Sequence, residues 1–289
     1  MATLENTHLR VIINPKGAEL QSIYNKVLQM EYMWNGDPAF WGKHSPILFP
    51  IVGTLKDDTY YFNEKAYQLS RHGFAREMDF MVTAQTANSI QFTLESSEAT
   101  LTKFPFVFRF DVIYELSENS VKTTYRVSNM GKSTMYFSVG GHPAFKLPLT
   151  AGAVYNDYYL EFNHPENAGR WPISKEGLIE TSSTEVFKQR NKLPLSKELF
   201  LQDALVFKGL SSNNVALKCD KNAHGLLFDF TGFPYLGIWA AKNADFVCIE
   251  PWCGIADSVN TNQQLVSKEG IQVLQPSKNF ERGWSVSVF

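Results

Sequence analysis

The sequence predicts an all-β protein built as one large antiparallel β-sandwich. Apolar and β-branched residues alternate with polar residues along much of the chain, whereas apolar residues at helical spacing are scarce. Aromatic residues make up 14% of the chain, and such rings pack well on the pleated face of a sheet. With 289 residues, 44% of them hydrophobic, the chain has enough apolar side chains for one wide core.

The clearest hairpin lies in the middle of the chain. Even positions from Phe106 to Tyr114 are aromatic or apolar, whereas Arg109 and Asp111 hold odd positions. After the turn-forming residues 117–120, β-forming residues occupy the odd positions of 121–127. This alternation predicts two antiparallel strands joined by a tight turn, with one buried face.

Shorter runs of β-forming residues predict further strands in a single domain. These runs are 80–86, 89–94, 135–139, 158–162, 226–230, 236–240 and 284–289. The best helical spacing is found in 98–103 and 197–203. Residues 164–192 are polar and rich in turn formers, which favours an excursion between strands over a domain boundary. No repeat or linker divides the chain, so we predict one domain over residues 1–289.

Charge and cysteine content restrict the partners and the compartment. A net charge of −2 and a pI near 6.3 argue against nucleic acid or an anionic membrane as partner, because either calls for a concentrated basic face. The N-terminal residues are polar and alternating, with no apolar stretch that predicts a signal peptide or membrane span. The odd set of Cys219, Cys248 and Cys253 contains no CxxC pair and predicts buried free thiols in a reducing, cytoplasmic location.

Three short strings carry the candidate site. They are 72–76 (His-Gly-Phe-Ala-Arg), 140–145 (Gly-Gly-His-Pro-Ala-Phe) and 248–252 (Cys-Ile-Glu-Pro-Trp). Each sets a titratable side chain beside glycine, proline or aromatic residues, where the backbone turns sharply and a ring can line a pocket. Together they supply two histidines, an arginine and a carboxylate. That set is sufficient for general acid–base chemistry on a polar ligand without a metal or a bound cofactor.

His142 and Glu250 are the leading catalytic candidates. Histidine has an unperturbed pKa near neutrality, so it can give up a proton and recover it, although a satisfied core histidine at a strand end would look the same. Glu250 follows the apolar run 246–249, which is typical of a buried strand. A carboxylate at such a position is costly unless it is paired or functional.

Other residues have both a structural and a functional interpretation. A histidine beside a glycine, such as His72, is more often structural, whereas the planar fork of Arg76 suits two ligand oxygens. Trp239 can stack on an apolar face of a ligand or simply pack in the core. Asp257 fits a turn as well as a supporting role in the site.

Several other classes of site are not predicted. The histidines and carboxylates lack the short ligand spacings of zinc sites, so we expect no metal. The sequence also contains no GxGxxG, P-loop or GxSxG string, which argues against dinucleotide, nucleotide and serine-hydrolase sites.

In their order and spacing, the three strings resemble the aldose 1-epimerase (galactose mutarotase-like) family, and most closely the bacterial branch with the LacX-like proteins. The resemblance runs from residues 17–20 to the last strand. It implies a mutarotase-type supersandwich and a cofactor-independent interconversion of the α and β anomers of an aldohexose. It also implies that His142 is the general acid at the ring oxygen and Glu250 the general base at the anomeric hydroxyl.

The same resemblance implies a set of sugar-binding residues. His72 would face the sugar ring, and Arg76 and Asp203 would hydrogen-bond the ligand, although an aspartate that caps a helix would look the same as Asp203. The string 40–50 also matches this branch and would form one rim of the pocket.

Substrate charge, activity and assembly stay open at this point. A neighbouring hexose-6-phosphate branch has an Arg-Gly-Gly string where this chain has 41–46 (Trp-Gly-Lys-His-Ser-Pro), so we expect a neutral aldohexose. Lys43 lacks the bidentate geometry that suits phosphate, but Lys43, Arg71 and Arg76 could converge on an anion in three dimensions. A non-catalytic sugar sensor and a polysaccharide lyase or glycoside-acting enzyme are the alternatives. The sequence does not distinguish a monomer from a homodimer.

Overall fold

The computed structural model describes residues 1–289 and is dominated by short and medium strands. In chain order the strands are β1 (Ala2–Glu5), β2 (Leu9–Asn14), β3 (Glu19–Asn25), β4 (Met30–Glu31), β5 (Ile47–Leu48), β6 (Thr59–Phe62), β7 (Lys65–Gln68), β8 (Met81–Gln85), β9 (Ser89–Glu95), β10 (Phe108–Ser117), β11 (Ser120–Asn129), β12 (Met135–Phe137), β13 (Val139–Gly141), β14 (Ala144–Lys146), β15 (Tyr158–Glu166), β16 (Gly169–Arg170), β17 (Thr184–Glu185), β18 (Arg190–Pro194), β19 (Leu205–Lys208), β20 (Asn214–Cys219), β21 (Asn222–Asp229), β22 (Tyr235–Trp239), β23 (Phe246–Cys253), β24 (Gln272–Leu274) and β25 (Asn279–Val288). A single α-helix, α1, spans Glu98–Leu101. The 3-10 helices span Lys56–Asp58, Ala75–Glu77, Tyr155–Asp157, Lys197–Phe200 and Leu265–Ser267.

One layer of the molecule is a nine-stranded antiparallel sheet. Its strand order is β18-β15-β20-β21-β25-β11-β10-β9-β8. The predicted central hairpin is confirmed as β10 and β11, which pair from Phe108 and Asn129 to Ser117 and Ser120. On β10 the even positions are buried, since that face of the sheet packs on the core.

The second layer is a six-stranded sheet that carries the candidate site. Its order is β19-β22-β23-β13-β5, and β14 also pairs with β23. Every residue of β23 is buried, as the apolar run 246–249 predicts. The two layers meet through aromatic contacts such as Phe49 with Phe110, at 4.5 Å between ring centroids, and Phe145 with Phe228, at 5.9 Å. The all-β sandwich prediction is therefore confirmed.

Two predicted elements differ from the structure. The run 135–139 is not one strand, because the backbone N–H of Ser138 donates to the Pro50 carbonyl and the chain leaves one sheet for another. β12 then pairs with β24, whereas β13 pairs with β23 and β5. The segment 197–203 forms only a 3-10 helix at Lys197–Phe200, while 98–103 does contain α1, which begins at a Ser97 capping box.

The excursion 164–192 contains more structure than the sequence predicts. β15 continues to Glu166, and β16 pairs with β17 within the excursion. Backbone N–H groups of Trp171 and Ile179 donate to the carbonyls of Val206 and Asp257, which fastens the excursion over the second sheet. It thereby supplies one wall of the cavity described below.

Two further properties concern the cysteines and the helices. All three cysteines are buried and free, as predicted. None of the helices has the length and apolar character needed to cross a membrane.

Candidate active site

A cavity of about 370 Å³ opens at the six-stranded sheet and brings together all six candidate site residues. His72, Arg76, His142, Asp203, Trp239 and Glu250 lie on its wall. The other lining residues are Trp41, Gly53, Arg71, Ile173, Gly177, Ile179, Ala204, Val206, Trp252 and Ala256. A pocket that combines aromatic walls with a few convergent polar groups is typical of a small-molecule site.

Strand register places His142 directly opposite Glu250. β13 pairs with one end of β23, where Gly140 lies opposite Trp252, and β14 pairs with the other end, where Ala144 lies opposite Cys248. The register is kept across the short break between β13 and β14, and His142 lies in that break. The imidazole is therefore held by pairing on both sides rather than by a free loop.

The glycine before His142 is required by close packing. A Cβ atom on Gly141 would lie 2.7 Å from the Tyr125 hydroxyl and 3.0 Å from Nε1 of Trp284. These contacts are too short for any side chain, so the string brings the backbone close to the core, as the sequence analysis predicts.

The two catalytic candidates form a buried pair. Nε2 of His142 lies 3.2 Å from Oε2 of Glu250, and the two residues are only 8% and 1% exposed. The ring of Trp41 stacks on the imidazole at 4.9 Å, and Trp239 approaches it edge-on at 5.6 Å. Aromatic side chains therefore shield the pair from water on two sides.

Burial shifts the two pKa values in opposite directions. The pKa of His142 is lowered to about 3, mainly by burial, with the nearby cations Arg71 and Arg76 adding to the shift. Burial raises the pKa of Glu250 well above its usual value, while Arg71 opposes this shift and Asp203 adds to it. Both shifts have the cause expected of ionisable groups removed from water. Both directions favour a neutral imidazole beside a protonated carboxyl, so the pair shares one proton.

His72 is held in a strained backbone conformation with a defined tautomer. Its φ is +70°, which is uncommon for a residue with a side chain, and such strain is often found at functional sites. Its Nδ1 accepts a hydrogen bond of 3.0 Å from the backbone N–H of Gly53. Burial lowers the pKa of His72 well below its usual value, so the ring is neutral and carries its single hydrogen on Nε2.

The charged groups at the cavity mouth are Arg71, Arg76 and Asp203. Asp203 also has a left-handed backbone, with φ of +70°, and its Oδ1 accepts the N–H of Ala204 at 2.7 Å. Nη2 of Arg71 lies 3.8 Å from the same Oδ1. Nη2 of Arg76 donates to the backbone carbonyl of Arg71 at 2.9 Å, whereas its buried Nε has no partner.

Lys43 does not join these arginines. Its Nζ lies 2.8 Å from Oε1 of Glu77, and this pairing neutralises it outside the cavity wall. Of the three cations that could converge on an anion, only Arg71 and Arg76 line the cavity, and Asp203 lies beside them.

Sequence reasoning missed part of the cavity wall. Trp41 belongs to the predicted rim string, but its stacking on His142 was not foreseen. Arg71 was considered only as an anion partner. Ile173 and Ile179 come from the excursion, and no sequence signal ties that segment to the strings, because its docking depends on tertiary contacts.

Cys248 is another neighbour of the pair formed by His142 and Glu250. Its Sγ lies within 4.8 Å of ligand atoms of both His142 and Glu250, a set of atom types that can hold a metal ion. The cluster forms across strands, so the argument from sequence spacing did not detect it. Burial raises the pKa of the Cys248 thiol well above its usual value, so without a metal ion this thiol is protonated. The absence of a metal therefore stays a prediction.

Comparison with known proteins agrees with the fold and with the family that the three strings resemble. A family model described as aldose 1-epimerase matches residues 1–278. The plasmid-encoded protein LacX of Lactococcus lactis subsp. lactis is 32% identical over 99% of this chain and 98% of its own length.

Two solved structures are similar to this chain in both fold and sequence. A galactose mutarotase related enzyme from Lactobacillus acidophilus has a TM-score of 0.95 and 37% identity, with 100% of this chain and 97% of that chain covered. A galactose mutarotase-like protein from Lactobacillus casei has a TM-score of 0.92 and 31% identity, with both chains covered in full.

Proposed function

Because the chain belongs to the aldose 1-epimerase family, we propose that it is an aldose mutarotase that interconverts the α and β anomers of a neutral aldohexose. The observation that carries the proposal is the buried pair of His142 and Glu250, with 3.2 Å between Nε2 and Oε2, on the wall of one cavity. Ring opening needs one proton removed and one supplied, and a base and an acid side by side provide both.

The proposed reaction opens and recloses the sugar ring. Glu250 removes the proton of the anomeric hydroxyl as His142 protonates the ring oxygen, so the bond between the anomeric carbon and the ring oxygen breaks and a carbonyl forms. Rotation about the bond between the first two carbons presents the other face of the aldehyde. On reclosure the former ring oxygen attacks the carbonyl, His142 recovers its proton and Glu250 returns the other one.

Proton count supports this scheme. The form with neutral imidazole and protonated carboxyl holds the same number of protons as the form with imidazolium and carboxylate. A shift of one proton within the pair interconverts the two forms, so no proton has to come from water. Groups that interact this strongly titrate as a pair rather than singly.

The surrounding residues fit a role in holding the hydroxyls while the ring is open. Arg76 and Asp203 offer a cationic donor and an anionic acceptor at the mouth, and His72 offers one N–H from a buried ring. Trp41 and Trp239 offer apolar faces for the carbons of the sugar. Correct positioning of this kind can account for a large share of a rate enhancement.

The proposal is tested by following anomer exchange. Freshly dissolved α-glucose and α-galactose, with glucose 6-phosphate alongside, are monitored by polarimetry or NMR exchange with and without the protein. We expect a large acceleration for a neutral hexose. Binding without acceleration would indicate a sugar sensor instead, and a clearly higher kcat/KM for the phosphate would contradict the neutral substrate.

The pH profile gives a separate test of the shared proton. Since the pKa of His142 is lowered to about 3, a second proton joins the pair only in strong acid. Enzymatic kcat/KM, corrected for the uncatalysed rate, should therefore stay constant as the pH falls from 6.5 to about 5. A decline centred near the ordinary histidine pKa would show that His142 titrates as an exposed residue and would contradict the scheme.

Removal of the binding groups should mainly weaken affinity. Arg76→Ala and Asp203→Asn each remove a hydrogen bond to the ligand rather than a step in proton transfer. We expect about a tenfold or greater rise in KM, with a smaller change in kcat. Calorimetry with the preferred hexose measures the affinity directly, and unchanged affinity for both variants would assign them structural roles.

A further inference from the structure

Arg71 lies across the cavity mouth with its Nε close to His72. The Nε–H of Arg71 is directed at Nε2 of His72, with 3.3 Å between the two nitrogens. A hydrogen bond between these atoms would require a lone pair on Nε2. That lone pair is lacking, because Gly53 already occupies Nδ1 as acceptor and the neutral ring carries its hydrogen on Nε2. The contact therefore brings two N–H donors together.

The backbone N–H of Gly53, which fixes this tautomer, is itself held in place by packing. Gly53 has φ of +73°, and a Cβ atom there would lie 2.5 Å from Cβ of Ala256. Its N–H direction is thus set by a backbone that only glycine adopts easily. The guanidinium of Arg71, which carries the other N–H, approaches Asp203 with 3.8 Å between Nη2 and Oδ1.

We propose that Arg71 and His72 form a two-donor clamp for a single sugar hydroxyl, which makes Arg71 a specificity-determining residue of this pocket. The inference rests on the proposed sugar-binding function. Two N–H groups 3.3 Å apart cannot satisfy each other, and one oxygen with two lone pairs can accept from both. His72 is buried, with 5% of its surface exposed, so its Nε2–H is costly to leave without an acceptor.

The clamp lies next to the catalytic pair. The imidazole rings of His72 and His142 are 5.8 Å apart and perpendicular, so a sugar hydroxyl held by Nε2 of His72 would lie in the same cavity as the reacting centre. A pocket built to hydrogen-bond one hydroxyl rejects the analogue that lacks it more strongly than an apolar pocket rejects a lost methylene. The clamp therefore selects for one hydroxyl of the substrate.

The first test needs no sugar. Long-range ¹H–¹⁵N NMR of protein with labelled histidine distinguishes a protonated Nε2 from a protonated Nδ1. We expect His72 to carry its hydrogen on Nε2, and a hydrogen on Nδ1 would overturn the clamp.

The second test couples protein variants to deoxy sugars. Calorimetry compares the parent, Arg71→Met and Arg71→Lys with the hexose whose anomers are exchanged and with each of its monodeoxy analogues. We expect Arg71→Met to weaken hexose binding about tenfold or more. For one deoxy analogue the parent and Arg71→Met should bind equally, because the clamped oxygen is missing. Arg71→Lys should behave like Arg71→Met, since a lysine keeps the charge but loses the Nε–H position.

The controls separate the clamp from other effects. Arg126→Met is a matched control, because Arg126 is a similarly exposed arginine paired with Glu281 outside the cavity, and it should leave sugar affinity unchanged. The clamp would be overturned if Arg71→Met weakened the binding of every deoxy analogue equally. It would also be overturned if Arg71→Lys bound the hexose as tightly as the parent. Binding with the expected coupling but without anomer exchange would overturn the mutarotase proposal alone.

Discussion

Glu250→Gln and His142→Asn are each expected to lower mutarotase kcat/KM by about 10²–10⁴-fold, the usual contribution of a positioned acid or base. The amides keep the approximate shape of the side chains but cannot carry the proton. Their effects should not add fully, because the two groups share one proton across 3.2 Å. Exchange NMR on the preferred hexose measures the rates in both variants and in the double variant.

Stability measurements show whether such a loss comes from chemistry or from misfolding. Burial raises the pKa of Glu250 in the folded protein, so this group favours folding below its unfolded value of 4.5, and its contribution declines as the pH rises. Glutamine does not titrate, and Glu250→Gln should therefore be at least as stable as the parent at neutral pH. His224→Asn and Glu281→Gln, outside the cavity, serve as matched controls. Near-parental exchange in either catalytic variant would remove that residue from its assigned role.

The distribution of polar groups explains why the catalytic candidates were accessible from sequence. A carboxylate within an uncharged, buried strand stands out, because such a group is rarely tolerated without a purpose. β23 supplies Glu250 in this setting, and every residue of that strand is buried. The glycines before His142 likewise indicate close backbone packing, which the contacts of Gly141 demonstrate.

The rest of the wall depends on contacts that no local pattern records. Trp41 reads as one aromatic residue among many, and only the fold shows its ring stacked on His142. Ile173 and Ile179 lie in a polar excursion whose docking relies on backbone hydrogen bonds to distant strands. The break at Ser138 also follows from a tertiary hydrogen bond to Pro50, so the uninterrupted β pattern of 135–139 was misleading.

Asp257, which the sequence left between a turn and a supporting role, belongs to a buried ion pair that supports the cavity. Nζ of Lys268 lies 2.7 Å from Oδ1 of Asp257, and both side chains are 3% exposed. Oδ2 of Asp257 accepts the backbone N–H of Lys56 at 3.0 Å. The backbone of Asp257 also bonds to Thr54 and to Ile179, which joins the pair to the excursion that walls the cavity.

Removal of one partner of this ion pair should lower the free energy of unfolding far more than removal of both partners. Lys268→Met leaves a buried carboxylate without its cation, and we expect the free energy of unfolding to fall by about 3–5 kcal/mol. The double variant Lys268→Met/Asp257→Asn has no buried charge and keeps an acceptor for the Lys56 N–H, so it should recover much of that loss. Urea unfolding measures all three proteins, with an unchanged m-value required for the comparison.

The double variant also tests how the pair contributes to the site. If the pair acts only by avoiding an isolated charge, the double variant should regain stability and sugar affinity together. If the ion pair itself holds Asp257 in place, stability should return while KM stays raised, since Ala256 and Ile179 line the cavity on either side of that anchor. A loss below about 1 kcal/mol in Lys268→Met, the range of exposed pairs, would show that water reaches the lysine and that the pair is not buried in solution.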